Sequence, residues 1–249
     1  MRISRDDLIV DTVLIAGKIM IESGADMTRV HGTLVRIAAS AGVADPRIFE
    51  TATGIVMSVP HKKTAEVEPI ASRTIDLEKV SRVNDISRNL ANGKMTLEEA
   101  HENLQALTLA VPFFSFRRQL AAAIVVGVTL LIMYGGQWSD MAATAIATAV
   151  GYFSYAKISS YFRFHFGSEF IAALLLGLTA VFCVRLGLGH NLDMIIVAGL
   201  MPLVPGVPIT NAVRDLLAGH LLSGITRGTE ALLVACALGM GIAVVFRFF

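Results

Sequence analysis

In the first part of the chain the apolar residues Leu8, Val13, Leu14, Ile15, Ile19 and Met20 recur at helical intervals, which predicts a helix over roughly 6–23. The run ESGAD at 22–26 breaks that pattern. Asp26 is placed to N-cap a second helix reaching about Ser40, and Gly42 ends it. From 46 to 59 the text (PRIFETATGIVMSV) turns strand-like, and 65–75 supplies a partner strand. Residues 77–92 are helical again and stop at Gly93. The helix over 96–109 opens with TLEE, a capping box in which Thr96 bonds forward and Glu99 reaches back. Together these elements predict an α+β unit of roughly 110 residues, an ordinary size for one domain.

Beyond it the pattern changes. Five apolar stretches follow, at 120–134, 141–155, 170–184, 192–204 and 231–246. Crossing a hydrocarbon core of about 30 Å takes roughly 20 helical residues, so the shorter stretches draw on flanking residues or on shelter inside a bundle. The run GGQW at 135–138 reads as an interfacial turn. Ala142, Ala143, Ala145, Ala147, Gly151, Gly177, Gly239 and Gly241 are the small residues that close helix contact in lipid uses. The expected fold is therefore mainly α. It is a polytopic helical membrane domain of about five spans over 117–249, preceded by a soluble α+β domain over 1–116.

Charge sharpens this division. Residues 1–118 hold 15 Lys or Arg and 15 Asp or Glu, whereas residues 119–249 hold 6 and 5. The whole chain is 54% hydrophobic and 16% charged, where a soluble domain carries about a quarter charged residues. A net charge of +1 provides no polybasic arm and no case for a nucleic-acid partner. Asp6, Asp7 and Asp11 interrupt any N-terminal apolar run, so no cleavable signal peptide is expected. Cys183 and Cys236 lie in apolar stretches and read as packing residues, not as a disulfide or zinc ligands. Arg117 and Arg118 precede the first stretch, and Lys157, Arg163 and His165 lie between the second and third. By the positive-inside tendency this puts the N-terminal domain in the cytoplasm, with Arg185 and Arg247 running against the assignment.

Residues 202–208 read PLVPGVP. Three prolines in that run cannot continue a regular helix, since each removes an amide donor and crowds the preceding turn. At membrane depth such a break is tolerated only where protein or a water-filled cavity satisfies the freed backbone groups. The text at 209–227 then predicts one helix starting at the break, with Pro208 suited to its first turn. On it Asn211, Asp215 and Gly219 recur every four residues and share a stripe, with Arg214 beside it and His220 on roughly the opposite side. Two readings fit. In one, the helix N-terminus with Asn211, Arg214 and Asp215 faces an anionic substrate group, as in the broken helices of secondary transporters. In the other, Asp215 with Arg214, and Arg227 with Glu230, are interfacial charges bracketing a cytoplasmic re-entrant turn, and the prolines mark the end of the fourth span.

The run LVPGVPITNAVRDLLAGHLLSGITR at 203–227 resembles the signature of the threonine/serine exporter (ThrE) family. Pro205, Gly206, Pro208, Asn211, Asp215, Gly219, Gly224 and Arg227 fall at that family's spacing. The run ESGADMTRV at 22–30 is similar to the family's N-terminal signature, and a soluble domain followed by five spans matches over essentially the whole chain. Members of the family it resembles come as one long chain of two membrane halves or as two polypeptides. This chain stops after the first half, so it looks most like the YjjP-type subunit, whose small membrane partner is of the YjjB type, a pair implicated in succinate export. The resemblance implies transport, a heteromeric partner and a bacterial inner (cytoplasmic) membrane location.

The expected function is that of a membrane subunit of a secondary exporter, not an enzyme. Its substrate would be a small carboxylate metabolite, succinate or another C4-dicarboxylate ahead of threonine or serine. The break at Pro205, Gly206 and Pro208, with Gly219, would line the pathway, and Asn211 would bond the substrate. Asp215 would orient a partner or carry a coupling proton, and Arg214 would pair a second carboxylate. The expected partners are the YjjB-like subunit, the carboxylate substrate and the lipid bilayer, with no cofactor and no metal. A membrane hydrolase assembled from His31, His61 and His101 has no G-x-S-x-G, H-E-x-x-H or P-loop pattern behind it. A membrane-anchored sensor or scaffold differs from the exporter in predicting no flux in vesicles.

Overall fold

The computed structural model describes residues 4–60, 64–71, 74–109, 114–161 and 166–249; His61, Arg163 and His165 lie outside them. The N-terminal elements are α1 (Arg5–Glu22), α2 (Met27–Ser40), β1 (Arg47–Thr51), β2 (Gly54–Ser58), β3 (Glu66–Pro69), α3 (Leu77–Ala91) and α4 (Leu97–Leu109). They are followed by α5 (Phe116–Met133), α6 (Met141–Tyr161), α7 (Gly167–Arg185), α8 (Leu192–Leu200), α9 (Gly206–Leu217) and α10 (Leu221–Phe248). These elements form two units, Met1–Phe113 with Gly206–Thr229, and Phe114–Pro205 with Glu230–Phe249. Gly206–Thr229, which the expected layout put with the membrane residues, packs with the N-terminal elements.

The first unit is built around α1. Ile9, Val10, Val13, Leu14, Ala16, Ile19, Met20 and Ile21 are all buried, so the helix is apolar over most of its circumference. A helix of that kind needs cover on every side, and α2, α3, α4 and the sheet supply it. Gly17 lets the sheet close on the helix, because a Cβ there would collide with Ile55 of β2. The stretch 46–59 folds as a hairpin, with Thr51 opposite Gly54, and β3 adds antiparallel to β2. Ile55 and Met57 point from the middle strand into the core. The expected caps are made. Asp26 Oδ1 accepts from Arg29 N–H (3.0 Å), Thr96 Oγ1 accepts from Glu99 N–H (3.2 Å), and Glu99 Oε2 accepts from Thr96 N–H (2.8 Å).

The second unit contains α5, α6, α7, α8 and the later part of α10. Small residues set its helix contacts. A Cβ on Gly241 of α10 would stand 2.5 Å from Phe170 O of α7, and one on Gly151 of α6 would stand 2.8 Å from Leu176 Cδ1 of α7. Three helices among the described residues are long and apolar enough to cross a membrane: Phe116–Met133, Gly167–Arg185 and Leu221–Phe248. The pair Leu192–Leu203 and Gly206–Leu217 makes a fourth when read as one broken span. The stretch expected at 141–155 does form a helix, α6, which has the length but carries Thr144, Thr148, Ser154 and Lys157 and is not among them.

Candidate functional site

The turn between α1 and α2 is closed by backbone geometry. Gly24 adopts φ +86°, Ala25 N–H reaches Met20 O (3.0 Å) and Gly24 N–H reaches Ile21 O (3.2 Å). This is a Schellman ending, and glycine suits its left-handed position. Thr74 N–H to Glu22 O (2.6 Å) and Asp76 N–H to Ser23 O (3.1 Å) pin the next segment onto the same turn. Burial pushes the Glu22 carboxyl above the usual range for glutamate, against the nearby Lys18 ammonium, which lowers it. On the same helix the Lys18 ammonium is raised by its hydrogen bond to Glu68 Oε1 at 2.6 Å.

Onto this turn pack α9 and the start of α10. Asn211 Nδ2 donates to Gly24 O (2.8 Å), and Asp215 Oδ1 accepts from Met27 N–H (2.8 Å). Arg214 Nη1 donates to Asp26 Oδ2 (3.0 Å), and Arg227 Nη1 lies 3.3 Å from Asp215 Oδ2. Ser223 Oγ accepts from Ala52 N–H in the β1–β2 turn (3.1 Å). Asp215 is fully buried, with Arg227 5%, Asp26 5% and Asn211 8% exposed. Burying ions is costly unless they are paired, and here each buried carboxylate has an arginine. The first amides of α2 also present the positive end of a helix to both acids.

The run expected as one helix over 209–227 is two. Gly219 takes φ +87°, its N–H bonds Leu216 O (3.1 Å) and His220 N–H bonds Asp215 O (2.8 Å), so α9 stops at Leu217 and α10 begins at Leu221. Gly219 therefore does not share the Asn211–Asp215 stripe. It is the left-handed residue of a second Schellman ending. Its four-residue spacing masked a stop signal that was already in the text. Pro205 precedes α9, Gly206 is its first residue and Pro208 sits in its first turn, where a missing N–H costs no helical bond.

The ThrE sequence family, described as "Putative threonine/serine exporter", matches this chain over residues 11–249. The chain belongs to that family. It is also similar, at 22% identity, to a protein of Mycobacterium tuberculosis (strain ATCC 25618 / H37Rv) named "Probable threonine/serine exporter". That match covers 97% of this chain and 47% of the relative, so the chain spans about half the relative's length. No solved structure matches.

For this family member, the two segments that carried the resemblance are in direct contact: 22–30 supplies Gly24, Asp26 and Met27, and the second supplies Asn211, Arg214, Asp215 and Arg227. Asn211, Arg214 and Asp215 were expected to face a substrate, Asp26 only to cap α2, and Arg227 to stand with Glu230; the contacts the first three make are to Gly24, Asp26 and Met27. The available signal was chemical. A buried carboxylate in an apolar segment needs a cation, and Arg227 is one of only six Lys or Arg after residue 118. The histidines considered for hydrolysis stand apart in their contacts. His31 Nδ1 donates to Glu50 Oε1 (2.9 Å), while His101 contacts Thr12 Oγ1 (3.2 Å) and Gln105 Nε2 (2.8 Å). Among the described residues no group of three His, Cys, Asp or Glu side chains is placed to hold a metal.

Proposed function

We propose that this chain is a subunit of a secondary exporter for a small carboxylate metabolite, working in the inner membrane with a small second membrane subunit of the YjjB type. The supporting observation is the family match over 11–249, in a chain with three or four candidate spans. In this reading the N-terminal domain is cytoplasmic, the membrane part crosses about five times with α6 as a further span, and the break at Pro205–Pro208 borders the pathway. The second subunit enters this reading through the resemblance to the split pair, and the chain itself spans 47% of the relative it matches.

Two substrates remain in this proposal. Threonine or serine is the class in the descriptions of the family and of the mycobacterial relative. Succinate follows from the resemblance to the split pair. Arg214, the residue offered for a second carboxylate, is engaged by Asp26 at 3.0 Å and lends the dicarboxylate no separate support. The polar set on α9 acts in this reading as a clasp to the α1–α2 turn, through which the N-terminal domain holds the helix beside the break.

Efflux of labelled threonine, serine and succinate from vesicles tests this, with this chain alone, the second subunit alone, or both. Flux of one compound that needs both chains names the substrate and the partner. Correctly inserted chains that move none of the three overturn the assignment and favour the sensor or scaffold.

A further inference from the structure

Between Arg118 and Lys157 the chain contains a single Asp, Glu, Lys or Arg residue, Asp140. It stands in a 3-10 turn, Trp138–Asp140, that leads into α6, and it is fully buried. Oδ1 accepts the backbone N–H of His190, in the turn between α7 and α8, at 2.6 Å. Oδ2 is buried and has no hydrogen-bond partner among the described residues. The His190 ring is 68% exposed, yet its Nδ1 lies 3.8 Å from Asp140 Oδ1. Gly189 makes this approach possible, since a Cβ there would stand 2.8 Å from Ile195 Cδ1 and 3.0 Å from Ala143 Cβ.

A backbone clamp explains Oδ1 and nothing more. An asparagine would accept the same N–H without bringing a charge into an apolar bundle, where an uncompensated carboxylate is expensive. What a carboxylate adds is the ability to take up and release a proton. Few charged groups share this end of the unit. α5 and α6 bring no other within it, Asp193 is exposed in the first turn of α8, Arg247 is exposed in the last turn of α10, and Arg185, in the last turn of α7, lies over the Phe249 ring at 5.2 Å. Asp215, the other fully buried acid, is already engaged by Met27 and Arg227.

We propose that Asp140 and His190 form the proton-exchange site of the transport cycle, an inference that rests on the exporter reading. The exposed imidazole takes a proton from water. As the ring closes the 3.8 Å gap, Nδ1–H passes that proton to the carboxylate. Imidazolium and carboxylate become neutral imidazole and neutral carboxylic acid, and the reverse step returns the proton. Imidazole suits the task because it is the side chain that ordinarily changes charge between about pH 5 and 8.

The test uses vesicles holding this chain and its second subunit, and compares two modes. Counterflow exchanges labelled for unlabelled substrate with no net proton movement, whereas a pH gradient drives net flux. D140N keeps the Oδ1 acceptor for His190 N–H and removes the proton site. The expected result is a loss of about tenfold or more in gradient-driven flux, with counterflow kept within about twofold. H190Q, altered at an exposed ring, should slow gradient-driven flux by about threefold or more and leave counterflow intact. Unchanged gradient-driven flux in either variant overturns the proposal. So does equal loss of both modes, which would mark Asp140 as a clamp only. Infrared spectra of the purified chain supply a readout without transport: a protonated-carboxyl band rising as pH falls and missing in D140N is expected, and identical spectra would refute it. If the unaltered pair shows no counterflow of threonine, serine or succinate, the exporter reading itself falls and takes this site with it.

Discussion

Asp215 Oδ1 and the backbone N–H of Met27 are bonded at 2.8 Å across 188 positions of sequence. Met27 is the first residue of α2, so its amide has no partner within that helix. Asp26 already caps the amide of Arg29, two residues on. A carboxylate from α9 therefore completes the N-terminus of α2, and Arg227 balances its charge from α10. The contact ties the helix beside the proline break to the turn that opens the N-terminal domain, so the two segments of family resemblance form one structural feature.

Removing that carboxylate is expected to be costly. Asp215→Ala takes the acceptor from the Met27 amide and a carboxylate from beside Arg227, and a broken buried ion pair costs about 3–5 kcal/mol. Asp215→Asn keeps an acceptor for the amide and should lose less. Thermal unfolding of the detergent-solubilised chain measures both, and a second change, Arg227→Met in the Asp215→Ala background, should recover part of the loss. Equal stability of Asp215→Ala and the unaltered chain would contradict the pairing.

Gly219 should resist replacement for conformational reasons alone. Nothing lies within 4 Å of a Cβ added there, so sterics with neighbours are not at issue. Its φ of +87° costs an L-residue about 1–2 kcal/mol. Gly219→Ala should lower stability by that amount and Gly219→Asn by less, in the same unfolding assay. An alanine variant as stable as the glycine would argue that α9 runs on past Leu217.

Gly241 is the opposite case, with ordinary backbone but no room. A Cβ would stand 2.5 Å from Phe170 O and 2.9 Å from Ala173 Cβ, so Gly241→Val must push α10 off α7. Overpacking of this kind costs typically about 1–3 kcal/mol. Thermal unfolding should show that loss for Gly241→Val, and Gly239→Val, where no atom lies within 4 Å, should be tolerated.

Glu22 sets a pH dependence with a definite sign. Burial raises its carboxyl above the ordinary value of 4.5, so the folded chain holds that proton to higher pH than the unfolded chain does. Its contribution to stability is present below 4.5 and declines as pH rises through the raised value. Relative to Glu22→Gln, the unaltered chain should lose stability across that window and then run parallel. A gap that widens toward acid would reverse the sign and refute the assignment.

Much of the fold was legible because its signals are local. The capping box at Thr96 and Glu99, the cap at Asp26 and the glycines ending α1, α2 and α3 act over a few residues, and the helices begin and end where they point. The apolar stretches also form helices, with 192–204 passing from α8 into a 3-10 turn after Leu200, since an apolar segment in lipid must satisfy its own backbone. The hairpin β1–β2 was read as one strand-like run because Ala52 and Thr53 make a turn without glycine or proline between them.

Text alone therefore determined a charged N-terminal α+β region, a run of apolar helices, a break at 202–208 and the family, because composition, periodicity and motif spacing are properties of neighbouring residues. Only the tertiary structure decided what the polar residues after the break hold. Asn211, Arg214 and Asp215 choose among every donor and acceptor the folded chain brings near, and that choice went to Gly24, Asp26 and Met27. The same holds for Asp140 and His190, fifty positions apart, whose meeting depends on α6, α7 and α8 packing together. Buried polar groups must find partners within the fold, and which partners are in reach is a property of packing that no local window contains.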